Sequence, residues 1–309
     1  MLSAQLWSWF YAKLILRNTL NGEIKEKLIM AGKIGRDALE YGKTLAEPGA
    51  LLIDIADSIE KFISENGGKP SFPVNLSVNN EAAHYTPCIG DRKKLMTGDV
   101  LKMDVGAQVD GYLSDNAATV EVGSTGRYTD LIESTRDALN RAIRKLRPGV
   151  RIRDIGAEIG ITIESYGFKP VRNLGGHGIN RYDLHSSIFI PNFDDGNGDT
   201  IRPDMTIAIE PFASTGSGMI HHASGGNIYI LDSPKIDREE IIYRNFNTVP
   251  FAERWLAGLV PDPQKYLREM MKKRQVSHFP VLKEHRGSVI AQSEHTIIVG
   301  SDGITVTTA

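Results

Sequence analysis

Five residues of the 309-residue chain have types and settings suited to metal chemistry: Asp104, Asp115, His177, Glu210 and Glu294. Asp104 and Asp115 interrupt the otherwise largely apolar and β-branched stretch from Val100 to Val122. His177 lies in Gly175-Gly176-His177-Gly178, where absent side chains let backbone or ligand come close. Glu210 ends the apolar run Met205 to Ile209, and Glu294 opens the run to Val299. A carboxylate inside such a run is unfavourable unless it is neutralised. Taken singly, His177, Glu210 and Glu294 each read more readily as a strand-end or edge residue in water, while for Asp104 and Asp115 a half-exposed hairpin and a metal site stand level. Together, two aspartates, two glutamates and one histidine on separate β segments suit a site where carboxylates are shared between two divalent ions. The single imidazole favours Mn, Fe, Co or Zn over Ca. Such an ion pair supplies hydroxide at neutral pH and polarises a carbonyl. His84, in Glu81 to Pro87, and His185, eight residues after His177, could each donate to a substrate oxygen or a leaving amine. The alternative for an isolated histidine is a surface or packed side chain. Cys88 reads as a small apolar filler.

These residues need a framework. Asp110-Gly111 has the chemistry of a two-residue hairpin loop. That register sets Val109 against Tyr112 and Gly106 against Asp115, with Asp104 diagonally across on the same face. Gly106 is then expected to leave room beside Asp115. Upstream, Glu23 to Leu45 is helical in pattern and stops at Pro48-Gly49. A second helix, with Asp54 as its cap, buries Ile55, Ile59, Phe62 and Ile63 and ends at Asn66-Gly67-Gly68. Thr129 to Leu146 and Asp154 to Tyr166 repeat the scheme. Arg36-Asp37-Ala38-Leu39 returns as Arg136-Asp137-Ala138-Leu139, Pro48-Gly49 as Pro148-Gly149, Asp54-Ile55 as Asp154-Ile155, and Lys69-Pro70 as Lys169-Pro170. The offset is 100 throughout. Either a helix–turn–helix–strand unit has been duplicated, with a site between two pseudo-twofold halves, or two helical hairpins converged on the same stops and caps.

Short β-like runs follow at Val171–Leu174, Ser187–Ile190, Thr206–Phe212 and Asn227–Leu231. Residues 233–286 read as a helical insert, with helices around Arg238–Arg244, Pro250–Leu259 and Pro263–Lys273; the β pattern returns at Val289–Val299 and Ile304–Thr307. The expected division is therefore an N-terminal extension (1–22), a catalytic domain (23–232 and 287–309) and the insert (233–286).

The totals exclude several classes. Thirty-six basic against 38 acidic residues give a net charge of −2, so no bulk charge draws the chain to nucleic acid or an anionic membrane. One cysteine forbids an intrachain disulfide and suits a reducing cytoplasm. No apolar run is long enough to span a bilayer. The first eighteen residues carry Trp7, Trp9, Phe10 and Tyr11 but lack a signal peptide's basic start and cleavage site. They read as an extension that the chemistry does not need; a surface-bound or packed helix, or a misplaced start, are the alternatives.

From about residue 23 onward the chain resembles the type 2 methionine aminopeptidases in their archaeal form. Phe72-Pro73 through His84-Tyr85-Thr86-Pro87 carries the resemblance, together with Asp110-Gly111-Tyr112-Leu113-Ser114-Asp115 and Gly176-His177-Gly178-Ile179 with His185. So do Ile209-Glu210-Pro211-Phe212 with Ser214-Thr215-Gly216, and Gln292-Ser293-Glu294-His295-Thr296. The resemblance implies an α+β pita-bread fold (creatinase/aminopeptidase type), pseudo-twofold, with a helical insert that marks type 2; Val249 to Ala252 and Arg254 to Leu256 fall inside it. It implies removal of the N-terminal methionine from newly made proteins by two divalent ions, preferably before a small second residue. In that reading Asp104 chelates one ion, Asp115 and Glu294 bridge both, and His177 with Glu210 completes the other. His84 and His185 touch the scissile amide and the intermediate, Glu210 doubles as a proton carrier, and Phe72, Leu184 and Phe212 wall the methionine pocket. A cytoplasmic monomer with transient ribosome contact, no specific nucleic acid and no stable membrane association completes the expectation.

Three rivals stand beside this one. A prolidase- or creatinase-like hydrolase would share the five ligands; the Ala82-Ala83-His84-Tyr85-Thr86-Pro87 motif and the insert argue against it. A non-catalytic relative that binds RNA or protein would have lost ligands, and all five are here. An independent binding role for the insert rests on Lys272-Lys273-Arg274, for which a solvated helix face is the simpler account.

Overall fold

The computed structural model describes residues 20–223, 225–232 and 240–309. The proposed extension falls almost wholly outside these residues, as does the start of the helix expected at Arg238.

Two helix pairs built on one plan carry the fold. The first is α1 (Gly22–Thr44) with α2 (Leu52–Glu65), and the second is α3 (Thr129–Lys145) with α4 (Ile152–Ser165). Sequence correspondence at 100 residues becomes structural correspondence. Gly49 and Gly149 take φ of +90° and +84°, and Gly67 and Gly167 both take +85°, a left-handed backbone that glycine adopts freely. The Gly49 amide donates to Leu95 O at 2.7 Å, and the Gly149 amide donates to Ile201 O at 2.8 Å. Duplication therefore accounts for the match better than convergence of two helical hairpins.

The capping expectation fails at Asp54 and Asp154 in the same way. The cap positions are Leu51 and Arg151, with no side-chain cap bond. Each residue instead belongs to an isolated β-bridge, to Lys94 and Thr200 respectively. The next amides, Leu52 and Ile152, donate across that bridge to Lys93 O and Asp199 O. A backbone acceptor has replaced a side-chain cap. The aspartates sit in the first turn, where the helix dipole still favours them. Asn21 does cap α1, accepting from the Ile24 amide at 2.9 Å.

In the first half the strands are β1 (Lys69–Pro70), β2 (Asn75–Val78), β3 (Glu81–Ala83), β4 (Val100–Val105), β5 (Ala107–Val109), β6 (Tyr112–Leu113) and β7 (Asn116–Glu121). The second half begins with β8 (Lys169–Pro170), β9 (Gly175–Asn180), β10 (Asp183–Pro191), β11 (Met205–Ile209) and β12 (Phe212–Ser214). After them come β13 (His221–His222), β14 (Ile228–Leu231), β15 (Phe251–Ala252), β16 (Val276–Phe279) and β17 (Leu282–Lys283), then β18 (Ile290–Gln292), β19 (His295–Val299) and β20 (Ile304–Val306). All named pairings are antiparallel. β1 pairs with β5 as β8 pairs with β12, repeating the symmetry. α1 and α2 pack with β2 and β4 over one apolar core, and α3 and α4 with β11 and β19 over another. The halves are joined where the Glu294 amide donates to Ala117 O at 2.9 Å and Thr119 Oγ1 bonds Gln292.

Two further expectations need correction. Val171–Leu174 is not a strand; the strand is the next segment, β9, which contains the glycine run and His177. Its glycines are there because backbone lies against them: a Cβ on Gly176 would stand 2.2 Å from Ala208 O of β11. The insert is also less helical than its pattern. Ile241–Phe246 (α5) and Pro263–Lys272 (α6) are helices, but Pro250–Leu259 yields β15 and one 3₁₀ turn, Glu253–Leu256. β15 and β16 flank β14, whose residues precede 233, in a three-stranded sheet. Short strands paired across distance leave little local periodicity.

The hairpin register is as expected, with Val109 opposite Tyr112 and Val105 opposite Asn116. Asp110 and Gly111 take φ of +52° and +81°. The space at Gly106 is used differently, however. A Cβ there would lie 2.0 Å from Ser71 Oγ and 2.4 Å from Phe72 Cε1. Gly106 makes room for Ser71 and Phe72, not for Asp115. Gly106→Ala is expected to displace the Phe72 ring and lower stability by about 1–3 kcal/mol, measured by denaturant unfolding. A variant as stable as the parent would show that this contact relaxes freely.

Candidate metal centre

Asp104 lies near the end of β4, and Asp115 lies between β6 and β7 on the hairpin's other arm. His177 comes from β9, Glu210 directly follows β11, and Glu294 directly precedes β19. The first half thus contributes two acids, and the second contributes two acids and the imidazole. Thr296 holds Asp115 in place: the Asp115 amide donates to its Oγ1 at 2.8 Å, and that hydroxyl donates to Asp115 O at 2.7 Å.

One oxygen or nitrogen each from Asp115, His177 and Glu294 lies within 4.8 Å of the others, and all three residues are buried. His177 Nε2 is 3.4 Å from Asp115 Oδ2 and 3.6 Å from Glu210 Oε1. Gln292 Nε2 reaches Glu210 Oε2 at 3.4 Å and Glu294 Oε2 at 3.3 Å. Asp104 faces Asp115, whose charge is the main neighbour acting on its carboxyl. The five residues expected from sequence therefore meet at one place.

The electrostatics identify what that place lacks. Asp104 Oδ1, Asp115 Oδ1 and Glu294 Oε1 are buried with no hydrogen-bond partner among the described residues. Burial first, then the neighbouring acids, hold Asp104, Glu210 and Glu294 well above the usual carboxylate range. Burial pushes Asp115 up to about 7. His177 cannot relieve them, because burial pushes it down to about 4. Its Nδ1 donates to Gly178 O at 3.2 Å, which leaves the Nε2 lone pair facing the acids. Lone pairs aimed at lone pairs in so desolvated a site need a cation between them. Carboxylates with one such imidazole fit a borderline-hard divalent ion.

Around the acids lies a pocket of about 320 Å³. Phe72, Leu184 and Phe212 line it, as do His84 and His185, so every residue singled out from sequence borders one cavity. His84 is half-buried, is pushed down to about 4 chiefly by desolvation, and takes an unusual φ of +65°. His185 lines the same pocket, and its ring stands edge-on to His177 with centroids 4.4 Å apart. Asn75, Pro250, Phe279 and Gln292 were not picked out from sequence. Asn75 pairs with Asp104 across the β2–β4 ladder. Phe279 packs edge-on to His84 at 5.3 Å. Gln292 carried a signal in its place two residues before Glu294, and Pro250 in the Val249 to Ala252 segment of the insert.

The profile described as Metallopeptidase family M24 matches residues 26–299. The methionine aminopeptidase of Thermococcus onnurineus is 42% identical over 294 residues, covering 92% of this chain and 99% of its own. That of Saccharolobus solfataricus is 40% identical, covering 91% and 97%. Among solved structures, Thermotoga maritima methionine aminopeptidase aligns with a TM-score of 0.72 at 27% identity, covering 93% of this chain and 97% of its own. A thermophilic Arx1 aligns at 0.82 with 17% identity, covering 94% and 91%, and a Pyrococcus furiosus prolidase at 0.62 with 18%, covering 95% and 66%. At such identities the last two speak to the fold alone.

Raised carboxyl pKa values have a signed consequence. Their contribution to the stability of metal-free protein is complete below the unfolded value near 4 and is lost as pH rises through the folded values, which for Asp115 means about 7. Below about pH 6.5 the buried neutral histidines, His84 and His177 among them, work in the opposite direction, so the melting temperature of metal-free protein is expected to fall between about pH 6.5 and pH 8. Added Mn should raise it, and by more at the higher pH. A metal-free melting temperature that climbs over this range would contradict the crowding of the acids.

Proposed function

We propose, from the premise that this chain belongs to metallopeptidase family M24, that it removes the N-terminal methionine of newly made proteins. Its fold is the pita-bread fold, and it is a metal-dependent aminopeptidase like its archaeal relatives. The observation that carries the reading is the set of unpaired buried oxygens of Asp104, Asp115 and Glu294 beside the His177 lone pair.

In this reading Asp115 and Glu294 would be ligands shared by two divalent ions, with Asp104 a ligand of one and His177 and Glu210 ligands of the other. When bound, such ions supply Lewis acidity towards a carbonyl and a hydroxide nucleophile at neutral pH. The chain's own residues do the rest. Phe72, Leu184 and Phe212 enclose the methionine side chain and exclude water; the cavity volume lies at the small end for ligand sites, which suits one residue. His84 and His185 hydrogen-bond the scissile amide and the oxygen on which charge develops, and being neutral they donate without adding a buried charge. Glu210 carries a proton to the leaving amine. A small second residue is the preferred follower.

The proposal extends to the chain's division: residues 23–232 with 287–309 form the catalytic part, 233–286 an inserted subdomain whose small core also takes in Tyr229 and Leu231 of β14, and 1–22 a segment the reaction does not use. It also extends to a cytoplasmic monomer that meets nascent chains near the ribosome. Among the described residues no helix is long and apolar enough to cross a membrane.

Metal-free protein reconstituted in turn with Mn, Fe, Co and Zn is expected to cleave Met-Ala-Ser but not an X-Pro dipeptide. Asp115→Asn should lose at least about 100-fold in kcat/KM, since removal of residues merely supporting ligands already costs that much. Full activity in that variant would remove the bridging role, and X-Pro cleavage would move the chain to the prolidases.

A further inference from the structure

We infer that Arg254, carried by the insert, is a positioning residue that holds two walls of the substrate pocket in register, the Phe72 segment through Glu60 and the His84 segment through Thr86. This rests on the aminopeptidase reading and adds to it a control point outside the reacting centre.

Arg254 is buried, and its guanidinium has partners on every side. Nε donates to Asp57 Oδ1 at 3.1 Å, Nη1 to Thr86 Oγ1 at 2.7 Å and Pro87 O at 3.2 Å, and Nη2 to Glu60 Oε1. Glu60, also buried, accepts from the Val74 amide at 3.0 Å and from Trp255 Nε1 at 2.7 Å. Thr86 Oγ1 both accepts from Arg254 and donates to Val74 O at 2.9 Å. The two pocket segments are therefore sewn together at Val74, with Arg254 closing the loop. Phe72 lies two residues before Val74, Asn75 one after, and His84 two before Thr86.

Two observations point to function. A buried ion pair is weak evidence of stability, and similar apolar side chains often do as well. This one spends its donors on the backbone and hydroxyl beside pocket residues. His84, moreover, holds a left-handed φ of +65°, which a non-glycine residue keeps only when its surroundings overdetermine it. Those surroundings are the Leu76 amide to Tyr85 O bond at 2.7 Å, the Thr86 link and the edge-on Phe279 ring at 5.3 Å. Phe279 and Pro250, both in the insert, line the same pocket. Seating the insert through Arg254 thus sets the pocket's shape.

The test uses the full chain loaded with Mn, with rates normalised to metal content and folded fraction. Thr86→Val keeps the shape and removes the hydroxyl; Thr86→Ser keeps the hydroxyl and removes a methyl. Thr86→Val and Arg254→Met are each expected to lower kcat/KM for Met-Ala-Ser by about 10-fold and to reduce the preference for Met over Leu. Thr86→Ser should stay near wild type, the reverse of what a packing role predicts. The double variant should lose about 10-fold, not 100-fold, because each change alone already opens the loop that the Arg254–Thr86 bond closes. Thr86→Val with wild-type rate and selectivity overturns the inference, whether or not Arg254→Met folds, and so do multiplicative losses in the double variant. An inactive wild type would instead defeat the aminopeptidase reading.

Discussion

Buried negative charge without a partner is the constraint on which this structure depends. Asp104, Asp115, Glu210 and Glu294 converge in a pocket that leaves them largely desolvated, and the imidazole of His177 beside them is held neutral with its lone pair turned towards them. Water would stabilise these groups and the protein interior does not. A divalent cation converts the same arrangement from repulsive to attractive, so the fold and the ions are energetically linked. Chain connectivity explains why the linkage is possible: the ligands come from both halves of a duplicated unit, and the cation acts across the seam.

The rest of the architecture keeps that seam rigid. Each half has its own apolar core, formed by a helix pair on a small sheet. The acids are attached to strands whose registers are set by ladder bonds, and Thr296 and Thr119 tie the first half's strand to the second's. Lys102, two residues before Asp104, is fully buried with its ammonium nitrogen at 2.9 Å from Asn79 O and 3.0 Å from Ile290 O, a further link between the halves. Sites built on strands in this way tolerate little drift. The insert adds a wall and reaches back to the core through Arg254.

Much of this was legible in the chain because the controlling interactions are local. Asp110-Gly111 dictates a hairpin, and the hairpin dictates that Asp104 and Asp115 share a face. The duplicated Pro-Gly stops and Lys-Pro pairs revealed the pseudo-twofold plan. What escaped depends on partners distant in sequence. The strand at His177 is glycine-rich because other backbones press on it, which erases the β-branched signature. Asp54 and Asp154 look like caps, but backbone bridges to Lys94 and Thr200 took over that role. The insert's sheet is made of strands two to four residues long, paired across some 20 to 50 residues. Glu60 and Arg254 are 194 residues apart, so nothing local announces their contact.

The most direct measurement is anomalous diffraction from crystals of the Mn-loaded protein. The account predicts two peaks roughly 3.5–4 Å apart, both within bonding distance of Asp115 and Glu294, with Asp104 on one and His177 and Glu210 on the other. Manganese absent from this pocket, or bound elsewhere with the five side chains as they stand here, would contradict it.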